Sequence, residues 1–480
     1  MGRGAVHQSG PALRAISCGA QRAALMLLLA ALLSACLSAP PRAPLEPSRT
    51  LNEFNARRLD QIEPPATSGW DRAQWLSAAL KLNPQLAEQR AEVVAAAAAE
   101  RTAAEHANPN MELFAEYLVS AAQSGAWLYG LSLDFLLRQP GERARARQHA
   151  AVQTALAQSD LTESIWQVRS SLRLALLDAA AAQDESSLLE ALAAQRQALL
   201  DSDRARLKLG DIARTQLLTD ELEFSRAQQR LQQSRSRGVD AVARLAAAVG
   251  VPVAALKEVP VHWGDWAQID GLTLNTPERW RTEALIGRPQ MVHALREYDL
   301  AEIGLQSEVA RRWPQVHLTP AYAWGGDGVR EDSLNDIARE SAVGVSFELP
   351  LLNQHQGPIG EAVARRAAAG EHLKAVQADI FEQIDRAELA WPAARQAWAD
   401  TATLAKLADE QRQAEERALA AGAGERAGVL AAQIGATEAQ LSVLEAAYTA
   451  QLAFGALEDA YRRPLTDAES QWPPGVAPQP

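Results

Sequence analysis

The side chains that most often carry out chemistry are few in this chain, and they form no catalytic or metal-binding pattern. None of the eight histidines takes part in a His-x-x-x-His or His-Glu-x-x-His pair, the spacings that place two ligands on one helix face. A glycine-rich stretch at 325–328 follows a predicted strand but opens no helix, so it lacks the context of a phosphate-binding loop. We therefore expect no enzymatic activity, no metal site and no bound cofactor.

One residue, Cys36, is placed for covalent modification. Residues 1–22 contain arginines and no acid, and an apolar run from Ala23 to Leu33 follows them. This is the pattern of a secretory signal peptide. The ending Leu33-Ser34-Ala35-Cys36 resembles a bacterial lipobox, which implies a signal peptide at 1–35 and a lipid attached to Cys36. Leu37, where an Asp could have stood, favours the outer membrane by the same resemblance. An ordinary signal cut near Ala39 is the alternative.

Composition excludes some partners. The chain has 47 basic and 59 acidic residues and a net charge of −12. Nucleic-acid binding needs basic surfaces, so we expect no nucleic-acid partner. Beyond the signal peptide, no apolar run approaches the roughly 20 residues that a membrane-spanning helix needs.

Apolar and polar residues alternate in four segments, at about 111–119, 127–135, 316–324 and 342–349, and all but 316–324 contain acidic residues. Such alternation gives a strand one apolar and one polar face. The length of these segments suits a tilted membrane strand, and aromatic residues near their ends suit a membrane interface. We predict transmembrane strands whose polar faces point into a barrel lumen and carry Glu112, Glu116, Asp134 and Glu348.

The alternative for these segments is a soluble antiparallel sheet that packs its apolar face on a helix. In the membrane interpretation, four strands cannot close a barrel, and lipid does not tolerate open sheet edges. Several copies of the chain would then have to share one barrel.

A long stretch without Pro or Gly follows the first strand pair. Residues 142–208 would form a helix of about 100 Å. Within it, apolar and small residues recur at alternating steps of four and three, which is typical of a coiled-coil seam; they are Leu161, Ile165, Val168, Leu172, Ala175, Ala179, Ala182, Ser186, Leu189 and Ala193. The second half repeats the order of a long helix, a turn and a return helix, with its long helix over 358–419. We predict that the long helices turn at about 208–212 and 421–425, and that return helices follow at 213–249 and up to Tyr461. A further helix from about Trp70 to His106 precedes the first strands.

The same landmarks occur twice, about 205 to 214 residues apart, which indicates a duplicated half rather than a short solenoid repeat. Asn83-Pro84 recurs as Arg288-Pro289, and Gly210 recurs as Gly422. We predict two tandem structural repeats at 69–250 and 276–463. The segments around them would be an extended Pro-rich linker at 36–68, an irregular inter-repeat segment at 251–275 and a tail at 464–480. Thr276-Pro277 would start the first helix of the second repeat. The predicted class is mainly α with a small β part.

This arrangement, over about Trp70 to Tyr461, resembles the TolC-type outer membrane factors. The stretch 349–357, Leu-Pro-Leu-Leu-Asn-Gln-His-Gln-Gly, is similar to the strand-to-helix junction of their heavy-metal branch, Pro-Leu-x-x-Asn-x-Asn-Gln-Gly. His355 departs from the second Asn of that pattern. Asn108-Pro109 is similar to the branch's start of the first strand, Asn-Pro-Glu-Leu, from which Asn110 and Met111 depart.

The resemblance implies a homotrimer. Four strands per protomer would form a transmembrane β-barrel in the outer membrane, continuous with a long α-helical coiled-coil barrel in the periplasm. The far tips would dock on a periplasmic adaptor, or membrane fusion protein, which serves an inner-membrane pump of the RND type. The matching tip residues are Leu209, Gly210, Asp211, Gly422 and Gly424.

Some members have acids six and nine residues after the tip glycine that line a closed aperture. Here those positions hold Gln216 and Thr219 in the first repeat, and Gly428 and Ala431 in the second. The sequence therefore does not predict how the aperture is shut.

The expected function is an exit duct for small substrates, heavy-metal cations in particular. Two alternatives remain open. The first is the exit duct of a multidrug or protein (type I) secretion system. The second is a lipid-anchored periplasmic coiled-coil scaffold without a pore, which would need no strand hairpins.

Overall fold

The computed structural model describes residues 43–60, 62, 69–120, 123–257, 259, 261, 263, 265–272, 278–325 and 339–465. The signal peptide, Cys36, Thr276-Pro277, most of the loop after 325 and nearly all of the predicted tail lie outside these residues. The chain divides into two units between Ala56 and Arg57.

The first unit contains one described element, helix α1 (Pro47–Asn55). The prediction of an extended linker over 36–68 is therefore wrong for this stretch. Pro47 suits the first helical turn because its φ is fixed near the helical value. Arg49 donates to Glu53 one turn later at 2.9 Å, a spacing that supports a helix.

The second unit repeats one order of elements: two helices, two strands, and two long helices. Its first part contains α2 (Arg72–Leu82), α3 (Pro84–Ala103), β1 (Asn110–Ser120), β2 (Gln123–Leu137), α4 (Glu142–Leu209), α5 (Arg214–Val249) and the short α6 (Val253–Leu256). Its second part contains α7 (Glu278–Gly287), α8 (Pro289–Ala310), β3 (Val316–Gly325), β4 (Arg339–Phe347), α9 (Gln356–Ala420) and α10 (Arg426–Tyr461). The mainly α class with a small β part is confirmed.

The helix predicted from Trp70 to His106 is two helices, α2 and α3, which is a correction. Asn83 between them is extended, with φ −64° and ψ 123°, because the residue before a proline avoids the helical region. The Asn83 side chain accepts a hydrogen bond from the Gln85 amide at 2.9 Å and caps α3. Arg288 before Pro289 separates α7 from α8 in the same way.

The long helices follow the prediction. Helix α4 contains 68 residues and α9 contains 65. Helix α4 packs against α5 and against α10. Most residues of the predicted seam are buried, namely Ile165, Val168, Leu172, Ala175, Ala179, Ala182 and Leu189, whereas Leu161, Ser186 and Ala193 are half-buried. Among the described residues, no helix is both long and apolar enough to cross a membrane.

The four strands form one antiparallel sheet in the order β1-β2-β3-β4. Strand β2 pairs with β3, so one sheet joins the two hairpins. Strands β1, β2 and β3 extend beyond their predicted segments at one end or both. Strand β4 starts before its predicted segment and stops before the end of it. It begins at Arg339 and ends at Phe347, so Glu348 lies just outside the sheet, contrary to its predicted place within a strand.

The largest buried cluster joins α2 and the segment after α5 to α4, α9 and α10. Trp75, Leu177 and Ile269 are completely buried there. The rings of Trp391 on α9 and Phe454 on α10 meet edge to face, with centroids 5.1 Å apart. The inter-repeat segment, predicted to be irregular, therefore contains a short helix and contributes to this core.

Candidate functional site

One face of the sheet is apolar and exposed. Its side chains come from all four strands and share a face because opposite residues of paired strands point the same way. They are Met111, Leu113, Tyr117, Trp127, Tyr129, Phe135, Tyr322, Trp324, Val343, Val345 and Phe347. In the described part of the chain they remain exposed, which argues against a sheet covered by a helix of the same chain.

Aromatic side chains form a band near one end of this face. Tyr117 lies 5.1 Å from Trp127 between ring centroids, and Tyr129 lies 6.2 Å from Trp324. Tyr322 stacks beside Trp324 at 5.9 Å. The band runs across β1, β2 and β3, and such girdles are typical of membrane strands at the lipid–water interface.

The opposite face carries three of the four predicted acids. Glu112 lies across from Ser132, and Glu116 lies four residues further along β1, across from Leu128. Asp134 lies on the same face, where both of its oxygens are 3.0 Å from His317 Nδ1. The structure therefore brings Glu112, Glu116 and Asp134 together on one face. Glu348 is exposed just beyond the end of β4.

Sequence reasoning missed two features of this face. Glu340 lies opposite Ala323 and adds an exposed acid, but the predicted strand began after it. Phe114 lies between the two glutamates and covers Gly130, where an added Cβ would overlap its ring. The sequence contained two signals for this contact: Phe114 is an apolar residue at an expected lumen position, and Gly130 lies opposite it.

Both predicted tip turns are present. Gly210 has φ +83° and Gly422 has φ +77°, the left-handed conformation that glycine adopts without steric penalty. The Asp211 amide donates to the Arg206 carbonyl at 3.0 Å, and the Ala423 amide donates to the Ala418 carbonyl at 2.9 Å. These bonds satisfy carbonyls at the helix ends, as in a Schellman motif.

The two turns differ in the side chains that they present. Leu209 is an exposed apolar side chain at the first turn. Gly424, at the second, lies so close to the preceding helix that a Cβ would come within 2.8 Å of the Leu419 amide nitrogen. The second turn is therefore more compact and presents only small side chains before Glu425.

Acids near the first turn lie inside the hairpin. Asp203 of α4 and Asp220 of α5 are 3% and 6% exposed. Gln216 donates to Asp220 at 3.2 Å, and Arg206 lies 3.2 Å from Asp203. Burial, together with a hydrogen bond to Asp203, raises the pKa of the Asp220 carboxyl above its ordinary value. Asp203 and Asp220 become partners only through the packing of α4 on α5.

Helices α4 and α10 are held together by a buried ionic cluster. Glu458 is 1% exposed and accepts a hydrogen bond from Arg169 at 3.0 Å. Arg173 lies 3.4 Å from the same carboxylate and also donates to the Gln451 carbonyl at 2.8 Å. The Arg169 guanidinium lies over the Trp166 ring at 4.7 Å. Two arginines of α4 thus contact one carboxylate of α10.

A cavity of about 580 Å³ lies between α4, α5 and α10. Arg237 pairs with Glu185 at 2.8 Å, and Arg244 lies 3.2 Å from Asp178. Tyr448 donates to Asp178 at 2.7 Å. Burial, and secondarily this bond, raises the pKa of Tyr448 to about 12. The charges of the cavity are largely matched within its own wall.

Within the described ranges, no three His, Cys, Asp or Glu side chains are grouped so that they could hold a metal ion. His355 has φ +57° at the start of α9 and lies 3.9 Å from Glu308. Its position is explained by the sheet-to-helix junction that it helps to form.

Comparisons with known proteins agree with this architecture. Residues 280–461 match the model of the family described as outer membrane efflux protein. No curated protein matches the sequence. The fold is that of solved outer membrane channels, at low sequence identity.

Three solved structures illustrate the likeness. The outer-membrane channel OprN aligns with a TM-score of 0.67 and 15% identity, over 89% of this chain and 99% of that one. The outer membrane protein VceC from Vibrio cholerae gives 0.65 and 17%, over 84% and 100%. The MtrE outer membrane channel of Neisseria gonorrhoeae, in its open state, gives 0.66 and 15%, over 84% and 91%. The resemblance to TolC-type channels is confirmed, whereas the heavy-metal branch is not.

Proposed function

We propose that this chain, whose residues 280–461 match the outer membrane efflux protein family, is the outer membrane exit duct of a tripartite efflux system. The observation that carries the proposal is the sheet. It exposes an apolar face with an aromatic band, and it is attached to helices of 68 and 65 residues. A contiguous exposed apolar surface that extends over all four strands marks a lipid or protein contact.

The edges of the sheet support assembly. Strands β1 and β4 are the outer strands of the four-stranded sheet, so each leaves one row of backbone groups without a partner strand in the described chain. Lipid requires those groups to be paired. Three copies joined edge to edge would form a closed barrel of about twelve strands, within the range of known outer membrane barrels.

The function as a pore is tested by conductance. Purified full-length protein in a planar bilayer should give discrete conductance steps, and cross-linking in detergent should give a trimer. A trimer that shows no conductance would support the scaffold alternative and contradict the proposed duct.

The tip turns are proposed to dock on the periplasmic adaptor, which would in turn serve an inner-membrane pump of the RND type. Leu209 and Gly210 form an exposed turn, and Gly210 adopts its left-handed backbone conformation without strain. Asp and Asn both adopt left-handed conformations more readily than most residues. Gly210→Asp and Gly210→Asn therefore differ mainly in charge.

We expect the Gly210→Asp protein to remain trimeric but to lose export activity. The Gly210→Asn protein should retain most of the export activity. Resistance of the cells and cross-linking to the adaptor are the readouts. Export at the wild-type level in a correctly assembled Gly210→Asp variant would rule out docking at this turn.

Lipid attachment at Cys36 would anchor the chain to the outer membrane. In cells given a labelled fatty acid, wild-type protein should acquire the label and Cys36→Ser should not. Equal labelling of both proteins would show that the lipid is attached elsewhere.

Heavy-metal cations are the proposed substrates, on two grounds. The junction at 349–357 is similar to that of the heavy-metal branch, and three predicted acids share one face of the sheet. Deletion of the gene should lower resistance to metal salts more than resistance to drugs. The opposite order would favour a multidrug system, and loss of a secreted protein would favour a type I system.

A further inference from the structure

The hairpin that carries the first tip turn contains two buried acids that face each other. Asp203 lies near the end of α4 and Asp220 near the start of α5, on opposite sides of the turn at Gly210. Both side chains are almost completely buried. The pair therefore connects the two arms of the hairpin close to its free end.

The charges around the pair do not neutralise it fully. Arg206 of α4 lies 3.2 Å from Asp203 and is the only cation of the described chain within ion-pair distance of either carboxyl. Arg196 of α4 also acts on Asp220 through its charge, but its guanidinium donates to Glu438 of α10 at 2.8 Å. Gln216 donates a hydrogen bond to Asp220 but carries no charge.

A second pair joins the same two helices at the surface. Arg204 of α4 lies 3.6 Å from Glu221 of α5, and the two side chains are 47% and 43% exposed. Solvent screens such a pair, which contributes little to stability. Two buried carboxylates in contact differ from it, because both cannot be ionised without strong repulsion. One shared proton removes the repulsion and adds a hydrogen bond.

We propose that Asp203 and Asp220 form a proton-dependent clasp that holds the two arms of the first hairpin together beside the tip turn. With one proton between them, the two carboxyls hydrogen-bond across the α4–α5 interface. When the proton leaves to solvent, two like charges remain in a buried site, and the arms separate more readily.

The direction of the pH dependence follows from the raised pKa of Asp220. The closed hairpin holds its proton at a higher pH than the open hairpin, where the carboxyl has its ordinary pKa. The clasp is therefore fully effective below the ordinary pKa of aspartate and weakens as the pH rises from there towards the raised pKa. Because one proton is linked, the opening constant increases by at most about tenfold per pH unit.

The inference concerns the hairpin alone and does not depend on the proposed duct. Amide hydrogen exchange of the purified full-length protein, corrected for the intrinsic pH dependence of exchange, tests it between pH 4 and pH 8. In the wild type, the protection of residues 200–224 should fall as the pH rises, by up to about tenfold per unit within the linked window.

Asp220→Asn replaces the protonated carboxyl by a neutral amide of the same shape, so its protection should be high and independent of pH. Asp203→Asn should also remove the pH dependence of the protection. This second variant replaces the first if Asp220→Asn folds poorly. Glu221→Gln removes a neighbouring acid that is partly open to solvent, and it should keep the wild-type profile. A wild-type profile in both Asn variants, or a wild type without pH dependence in this hairpin, would overturn the clasp.

Discussion

At the scale of single residues, several buried charged groups have partners on helices that are distant in sequence. Glu458 of α10 lies between Arg169 and Arg173 of α4, and Asp178 of α4 accepts the phenol of Tyr448. Removing one member of a buried pair leaves the other charge without compensation, which costs about 3 to 5 kcal/mol. These partners therefore determine how α4 and α10 are aligned.

Tyr448 gives a prediction for alkaline pH. Its pKa is raised to about 12 from the ordinary value of 10.0, first by burial and then by its bond to the Asp178 carboxylate. The folded protein keeps the phenol proton longer than the unfolded chain does, so this stabilisation is present below pH 10 and is lost as the pH rises towards 12.

Tyr448→Phe removes the bond, and we expect it to lower the free energy of unfolding by about 1 kcal/mol, since the phenol is partly open to solvent. The difference in phenolate absorbance between wild type and Tyr448→Phe isolates the titration of this residue. A midpoint at pH 10 in the difference curve would show that the phenol is not held by Asp178.

At the scale of elements, the contact between α4 and α10 depends on a glycine. An added Cβ at Gly455 would overlap the Arg173 guanidinium, whereas Gly435 on the same helix has open space around it. Both glycines lie in the interior of α10, where alanine normally stabilises a helix by about 0.5 to 1 kcal/mol.

We therefore expect opposite effects from one substitution. Gly435→Ala should raise the free energy of unfolding by up to about 1 kcal/mol. Gly455→Ala should lower it by about 1 to 3 kcal/mol, because it displaces Arg173 from Glu458 and from the Gln451 carbonyl. Chemical denaturation of the two variants provides the comparison. Stabilisation by Gly455→Ala would show that Arg173 moves aside without loss.

The elements that could be predicted from the sequence are those with a local signal. The seam of α4 follows from steps of four and three, and the tip turns follow from glycines that end long helical stretches. The break at Asn83 also had a local signal, Pro84, but the pattern of the surrounding helix obscured it. The ends of β4 were missed because its first residues, including Glu340, do not alternate clearly.

Other features required the tertiary structure. Strand β2 pairs with β3 across about 180 residues of chain, and no local pattern specifies that pairing. The contact between Asp203 and Asp220 arises only when α4 and α5 pack. Asp134 has a partner, His317, on a strand of the other repeat. In each case, the sequence shows which residues are capable of the interaction, and the fold determines which of them meet.

At the scale of the whole molecule, the proposed assembly explains why one face of the sheet carries polar and acidic residues. If the apolar face contacts lipid, the opposite face lines the lumen, and Glu112, Glu116 and Glu340 add negative charge to it in every copy. Asp134 contributes less where His317 is protonated, because the two form an ion pair. The acids that remain would form rings in a narrow pore.

Rings of carboxylates favour cations, and low-dielectric walls concentrate their field. We therefore predict that the assembled channel is cation-selective and that the double substitution Glu112→Gln, Glu116→Gln reduces its reversal potential in a KCl gradient to roughly half. The matched control is Glu361→Gln, Glu371→Gln, which removes the same charge from exposed positions on α9 outside the sheet. This control should keep the wild-type reversal potential. A wild-type channel that prefers anions would mean that the sheet presents its other face to the lumen, and the exposed apolar residues would then need an explanation other than lipid.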